Sequence, residues 1–201
     1  ALTSKLGEHW ELANNGLKPY ANGVVSHPLQ DAVVYLRNQH NLTWDQVSTI
    51  TAQVHPLVLE LMNRPDPRTG LEGKFSFQHC AAAALVDGAG HAAQFSDERV
   101  SDQEIVALRK LVSAIPTEGI QEDEVQLTIT LSDGTTLSHH VKHATGSPQN
   151  PMSDTALNSK FMAIATEVIK SSEAERLADS VWNLDNSPSV GDMTRLLRLD
   201  T

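Results

Sequence analysis

This chain of 201 residues is poor in aromatic residues, in cysteine and in basic residues. Aromatic residues make up 4%, so aliphatic residues and alanine must supply most of the core, and platforms that stack nucleic-acid bases are not expected. The 15 Lys and Arg residues are outnumbered by 25 Asp and Glu residues, which gives a formal charge of -10 with neutral histidines. Because nucleic acids and anionic membranes bind basic faces, neither is an expected partner.

Further absences limit the cellular compartments in which we expect this protein. The single cysteine, Cys80, cannot form an intrachain disulfide, which favours a reducing compartment. The longest apolar run, over 80–86, is far shorter than the roughly 20 residues that cross a bilayer. Residues 1–7 contain no basic region followed by an apolar one, so no secretory signal is expected. We therefore expect a cytoplasmic protein with no membrane-spanning segment.

Helical and strand periodicities alternate along the first half of the chain. Pro28 suits a first helical position, and apolar residues at helical spacing predict a helix over 28–39, interrupted at Asn41. Thr43 can cap a single turn, after which apolar and polar residues alternate up to Val54 and predict a half-buried strand.

Two capping signatures predict two further helices. Thr69 and Glu72 fit a capping box after a proline-rich loop, and the run that follows predicts one helix over 71–87, stopped by Gly88. Ser101 and Glu104 repeat the signature and predict a helix over 102–112.

A hairpin and three helical patterns complete the chain. Strict alternation over 125–131, the Asp133-Gly134 turn and a return strand from Leu137 predict two antiparallel strands. Ser153 caps a helix whose apolar face extends to Val168, and shorter helical patterns follow around 177–182 and 190–197. The predicted fold class is α+β: a two-layer sandwich of an antiparallel-containing sheet and helices, followed by C-terminal helices.

Several common kinds of site are excluded or disfavoured. The sequence has no Walker pattern, no GxGxxG and no GxSxG. His139, His140 and His143 suggest a metal site, but neighbouring strand residues point to opposite faces, so we expect solvated histidines and no metal. Cys80 lies in an alanine-rich helical run without an evident base, which is more typical of a buried inert thiol than of a nucleophile.

The segment over 17–28 places a cation, a phenol and an imidazole around a glycine-containing loop that ends at a helix start. Lys18 and His27 near a helix N-terminus would attract a carboxylate. On spacing alone, a solvated lysine and a histidine beside a helix cap explain the same pattern.

An ordered set of motifs carries a resemblance to a known family. Lys18-Pro19-Tyr20 and Ser26-His27-Pro28 are followed by the run over 66–78, which reads Asp-Pro-Arg-Thr-Gly-Leu-Glu-Gly-Lys-Phe-Ser-Phe-Gln. Later pieces are Asp87-Gly88, Gln94-Phe95, Asp133-Gly134, Gly146-Ser147-Pro148, Pro151-Met152-Ser153-Asp154 and Lys160-Phe161. Over nearly the whole chain, this order resembles the C-terminal half of the MmgE/PrpD family.

The family includes 2-methylcitrate dehydratase, cis-aconitate decarboxylase and iminodisuccinate epimerase. The resemblance implies a small α+β lid domain over 1–150 and C-terminal helices over 151–201 that pack on a large all-helical N-terminal domain, which is missing here. It implies a 2-methylcitrate dehydratase-like lyase or isomerase that acts on a small di- or tricarboxylate and is a homodimer at full length. The chemistry requires no metal or other cofactor, and this portion alone is expected to be inactive.

The resemblance also implies site residues. The candidate catalytic residues are Lys18, which matches an active-site lysine, His27 of the same loop, and His79. The family often has tyrosine at the position of His79, which argues against a decarboxylase, and a satisfied histidine packed on a helix is an equal alternative. The candidate substrate-binding residues are Tyr20, Arg68, Lys74 and Ser76. For Arg68 and Lys74 the alternative is a side chain that faces water.

A function of another class stays open at this point. The C-terminal helical patterns have wide apolar faces, which suit contact with a larger surface. The alternative function is therefore a catalytically silent binding or assembly module that docks onto a helical partner.

Overall fold

The computed structural model describes residues 5–197 of the chain. The chain divides into two compact units, Ala1–Met152 and Ser153–Thr201. The roles of lid domain and docking helices, predicted for 1–150 and 151–201, stay predictions, and their outermost residues, 1–4 and 198–201, lie outside the described residues.

The first unit is built around a four-stranded mixed sheet. Its strands are β1 (Val47–Val54), β2 (Val112–Pro116), β3 (Val125–Leu131) and β4 (Thr136–Val141), in the order β2-β1-β3-β4. β1 pairs in parallel with β2 and antiparallel with β3, and β3 pairs antiparallel with β4. The predicted α+β class and the antiparallel-containing sheet are confirmed.

The first unit also contains α-helices. They are α1 (His27–His40), α2 (Leu57–Met62), α3 (Gly70–Gly73), α4 (Phe77–Asp87), α5 (Asp97–Ser101) and α6 (Gln103–Arg109). Short 3₁₀ turns are formed by Glu11–Asn14, Val24–Ser26, Trp44–Gln46 and Ala92–Phe95. The core lies between α1, α4 and the apolar face of the sheet, where Ile50, Leu127 and Ile129 are fully buried.

Local capping decides where the helices begin and end. The helix predicted over 28–39 is confirmed as α1, and it ends where Asn41 takes a left-handed conformation with φ of 52°. The single helix predicted over 71–87 is wrong: it is two helices, α3 and α4. Ser76 interrupts it because its side-chain oxygen accepts the backbone N–H of His79 and caps a new helix. Gly88 ends α4 as predicted.

The helix predicted over 102–112 is present as α6, but its predicted cap and its C-terminal end are wrong. α5 precedes it, Asp102 rather than Ser101 caps α6, and α6 ends at Arg109. From Val112 the chain forms β2, which is paired with β1 through contacts remote in sequence.

The hairpin of β3 and β4 is confirmed. Its turn uses Gly134 at φ +87°, and the Asp133 carboxylate accepts the N–H of Thr135 at 2.8 Å.

The second unit consists of α7 (Asp154–Ala165), α8 (Ser171–Trp182) and α9 (Val190–Arg195), with a 3₁₀ turn at Leu184–Asn186. Ser153 caps α7 as predicted, by accepting the N–H of Ala156. α7 ends at Ala165, so Val168 lies beyond the helix to which the sequence pattern assigned it. Within the described part of the chain, no helix combines the length and apolarity needed to cross a membrane.

Candidate functional site

Lys18 and His27 line one cavity of about 330 Å³ in the first unit. His27 is the first residue of α1 and is 1% exposed. The walls come from two segments far apart in sequence: Gly16, Leu17, Lys18, Val24 and His27 on one side, and Asp123, Ala144, Thr145, Gly146, Ser147 and Pro148 on the other. The two residues that the sequence singled out nine positions apart therefore lie on the wall of one cavity.

A close backbone contact holds the two walls together. The N–H of Leu17 donates to the carbonyl oxygen of Gly146 at 2.8 Å. Gly146 has φ of +86°, and a Cβ at this position would lie 1.9 Å from the carbonyl oxygen of Leu17. Only glycine fits here without displacing a wall of the cavity.

The Lys18 ammonium is held by its own loop. Its Nζ donates to the backbone oxygen of Asn22 at 3.1 Å, which closes a turn of the chain over 18–22. Asn22 is buried, and its side-chain nitrogen donates to Oε1 of Gln30 in α1 and to Sγ of Cys80 in α4. The loop is thus anchored on both helices, which restricts where the ammonium can lie.

The N-terminus of α1 differs from a simple anion site. The 3₁₀ turn Val24–Ser26 runs directly into the helix, and the backbone N–H of His27 donates to the carbonyl oxygen of Val24. Pro28 has no N–H to offer. The backbone therefore contributes less to anion binding than the sequence suggests, and Lys18 is the positive charge on this wall.

Tyr20 contacts His27 but faces a different cavity. The two rings meet edge to face, with centroids 5.4 Å apart and an interplanar angle of 87°. The Tyr20 hydroxyl donates to the Asp31 carboxylate at 2.7 Å. Burial, followed by the negative charge of Asp31, raises the pKa of Tyr20 above its usual value, so it is neutral at physiological pH. Tyr20 and Asp31 both line a neighbouring cavity of about 580 Å³.

His79 lies in the core rather than at the Lys18–His27 cavity. It is fully buried, its Nε2 lies 2.7 Å from the backbone oxygen of Gln94, and its ring meets Phe95 edge to face. Burial lowers the pKa of His79 to about 4, so the imidazole is neutral at pH 7. Its Nδ1 is buried without a hydrogen-bond partner among the described residues, so the ring is packed but only half satisfied, and a catalytic role for it stays a prediction.

The other three predicted substrate-binding residues also lie away from this cavity. Ser76 is fully buried and caps α4. Arg68 is exposed and pairs with Asp66 at 2.6 Å. The backbone oxygen of Lys74 accepts the N–H of Gly23 at 3.2 Å, which ties the end of α3 to the Lys18 loop. Contact of these residues with a substrate stays a prediction.

Cys80, His139, His140 and His143 have structural partners. Cys80 is fully buried, and burial raises its pKa to about 12, as expected of an inert thiol. His139 stacks on Tyr35, His140 pairs with Glu124 at 2.8 Å, and His143 pairs with Asp123 at 2.9 Å. Among the described residues, no group of three or more His, Cys, Asp or Glu side chains is arranged to hold a metal ion.

Sequence reasoning missed the second wall and one carboxylate. The segment over 144–148 and Asp123 reach the cavity through contacts more than 90 residues apart in sequence, and no local pattern indicates them. Asp31 could have been found, because it follows His27 by four residues and therefore lies on the same face of α1.

These features define a class: an α+β domain in which a lysine and a histidine line one small cavity, followed along the chain by a separate helical unit. The chain belongs to the MmgE/PrpD family, since the MmgE/PrpD C-terminal domain matches residues 20–186. It is 27% identical over 190 residues to the cis-aconitate decarboxylase of Mus musculus, which covers 90% of this chain and 39% of that protein. It is 25% identical over 185 residues to the cis-aconitate decarboxylase of Homo sapiens, which covers 86% of this chain and 37% of that protein. The chain thus spans about two fifths of the length of these relatives.

Proposed function

We propose that this chain forms the small-domain part of a lyase or isomerase that acts on a small di- or tricarboxylate, in the manner of a 2-methylcitrate dehydratase or a cis-aconitate decarboxylase. The observation that carries the proposal is the shared cavity of Lys18 and His27. Its volume of about 330 Å³ lies at the lower end of the range for small-ligand pockets, roughly 300–1,000 Å³.

The two side chains supply complementary chemistry. Reactions of this class build negative charge on carbon next to a carboxylate, and that charge spreads onto the carboxylate oxygens. The Lys18 ammonium would bind this carboxylate and stabilise the extra charge through a charge-assisted hydrogen bond. The His27 imidazole would take up or deliver a proton at the reacting carbon or its leaving group. The apolar side chains of Leu17 and Val24 would limit water around the ion pair and strengthen it.

We propose that activity also requires a helical N-terminal domain and, in the full-length form, a homodimer. The relatives are about two and a half times as long as the segment matched here. The cavity also has Asp123 on its wall, which would oppose a polyanion unless further cations face it from the partner domain. The helical domain would therefore add positive charge and close the site.

The test is to combine this chain with a helical N-terminal domain of the family and to assay hydration, dehydration, decarboxylation and epimerisation of small polycarboxylates. Lys18→Met keeps the apolar stem and removes the charge, and Lys110→Met, at an exposed position after α6, is the matched control. Turnover by the combined protein and by Lys110→Met, with loss in Lys18→Met, is the expected result. No turnover by the combined protein, or full turnover by Lys18→Met, contradicts the proposal.

A second candidate function is a catalytically silent assembly module. Within the second unit, Leu157, Phe161 and Trp182 line an apolar hollow of about 170 Å³, and Trp182 is 53% exposed. Such a surface suits an apolar face of a helical partner. Association with the helical domain seen by light scattering, with no polycarboxylate bound before or after association, favours this function over the enzymatic one.

A further inference from the structure

Asp31 connects the two walls of the Lys18–His27 cavity. It lies one helical turn after His27 in α1 and accepts two short hydrogen bonds, from the Tyr20 hydroxyl at 2.7 Å and from the backbone N–H of Thr145 at 2.6 Å. We propose that Asp31 is a positioning residue, which fixes both walls of this cavity on α1 and thereby sets its affinity for a polycarboxylate. The statement about affinity rests on the proposed function.

The two donors belong to the two segments that form the site. Tyr20 follows Lys18 by two residues, and its ring packs edge to face on His27. Thr145 lies on the opposite wall and precedes Gly146, whose carbonyl oxygen accepts the N–H of Leu17. One carboxylate is therefore bonded to both walls, at a point separate from the place where the walls touch each other.

Asp31 acts through these neighbours and not by direct contact. It does not line the Lys18–His27 cavity and instead faces the neighbouring cavity of about 580 Å³. The two donors bind different oxygens of this half-buried carboxylate, so replacing Asp31 removes both acceptors at once. Losing them would release the Tyr20 ring from His27 and the segment over 144–148 from α1.

Two substitutions separate geometry from charge. Asp31→Leu removes both acceptors, and the higher helix propensity of leucine means that α1 itself is not weakened by the change. In Asp31→Asn the side-chain oxygen can still accept from Thr145, while the side-chain amide can donate to the Tyr20 oxygen, because a phenol both donates and accepts. The asparagine variant should therefore keep the walls in place. Asp45→Asn, at an exposed position before β1, is the control.

The first measurement is amide hydrogen exchange of Thr145 in this chain, without any ligand. Asp31→Leu should raise its exchange rate at least about tenfold, as expected for the loss of a charge-assisted hydrogen bond, while amides of β3 stay protected. Asp31→Asn and Asp45→Asn should exchange close to the wild-type rate. Equal exchange at Thr145 in wild type and Asp31→Leu overturns the anchoring role.

The second measurement is citrate affinity by calorimetry in the protein combined with its helical domain. Asp31→Leu should weaken binding about tenfold, Asp31→Asn should restore most of it, and Asp31→Leu should have a much smaller effect in a Tyr20→Phe background, since the two residues act together. If Asp31→Leu speeds amide exchange at Thr145 but leaves citrate affinity unchanged, the positioning role is overturned. If Asp31→Leu fails to fold, Tyr20→Phe alone decides: it should weaken citrate binding while Thr145 stays protected, and unchanged binding overturns the proposal. If wild type binds no citrate, the proposed function fails, and the exchange result alone decides whether Asp31 anchors the walls.

Discussion

Replacing Gly146 with alanine should destabilise the chain and displace one wall of the Lys18–His27 cavity. The left-handed φ of +86° costs a residue with a Cβ roughly 1–2 kcal/mol. The new Cβ would lie 1.9 Å from the carbonyl oxygen of Leu17, so the two segments must separate. The hydrogen bond between Leu17 and Gly146 is then lost, and such a bond contributes about 0.5–1.5 kcal/mol.

The expected loss in the free energy of unfolding is therefore about 1.5–3.5 kcal/mol, or roughly 3–14 °C in Tm for a chain of this size. The matched control is Gly134→Ala in the β3–β4 turn. Gly134 has nearly the same φ, +87°, but nothing lies within 4 Å of its added Cβ, so only the conformational cost of about 1–2 kcal/mol applies. Urea denaturation followed by circular dichroism measures both variants. Equal destabilisation by the two substitutions would refute the reasoning, because the contact with Leu17 would then contribute nothing.

Three further predictions concern groups outside the cavity. Cys80 should react with a thiol reagent only after unfolding in urea, because burial raises its pKa to about 12 and blocks access; rapid absorbance change in the native protein would contradict this. Folding lowers the pKa of His79 from 6.5 to about 4. Between these two pH values the unfolded chain binds a proton at His79 that the folded chain does not, so the free energy of unfolding should drop by about 3 kcal/mol between pH 7 and pH 4. His79→Gln should weaken this pH dependence in urea titrations, and an unchanged slope would count against it. Arg99→Gln leaves three carboxylates without their shared cation and should cost about 2 kcal/mol, whereas Arg68→Gln at an exposed pair should cost less than about 1 kcal/mol; similar losses in the two would be the wrong result.

Elements with strong local signals were predictable from the sequence. The β3–β4 hairpin has strict alternation and an Asp-Gly turn, and α1 has a proline start and an Asn41 stop. β2 was not predictable, because its apolar residues continue the helical spacing of α6 and its strand geometry comes from parallel pairing with β1. The division of the helix over 71–87 depends on Ser76 acting as a cap, a role that the residues around this serine do not indicate.

Only one wall of the candidate site, the one with Lys18 and His27, was predictable from the sequence. Lys18 and His27 are joined by a short loop that ends at a helix start, so their proximity follows from local sequence. The opposite wall depends on how the chain after β4 returns to the Lys18 loop, which is a tertiary contact. His79 shows the converse: its motif context suggested a site, while the structure buries its ring against Phe95.

The central claim is that Lys18 and His27 together bind a small polycarboxylate, and its most direct test is the citrate affinity of Lys18→Met in the protein combined with its helical domain. A charge-assisted hydrogen bond contributes about 1.5–3 kcal/mol, so affinity should fall roughly 10- to 150-fold while Lys110→Met binds like wild type. Equal citrate affinity in wild type and Lys18→Met would contradict the account.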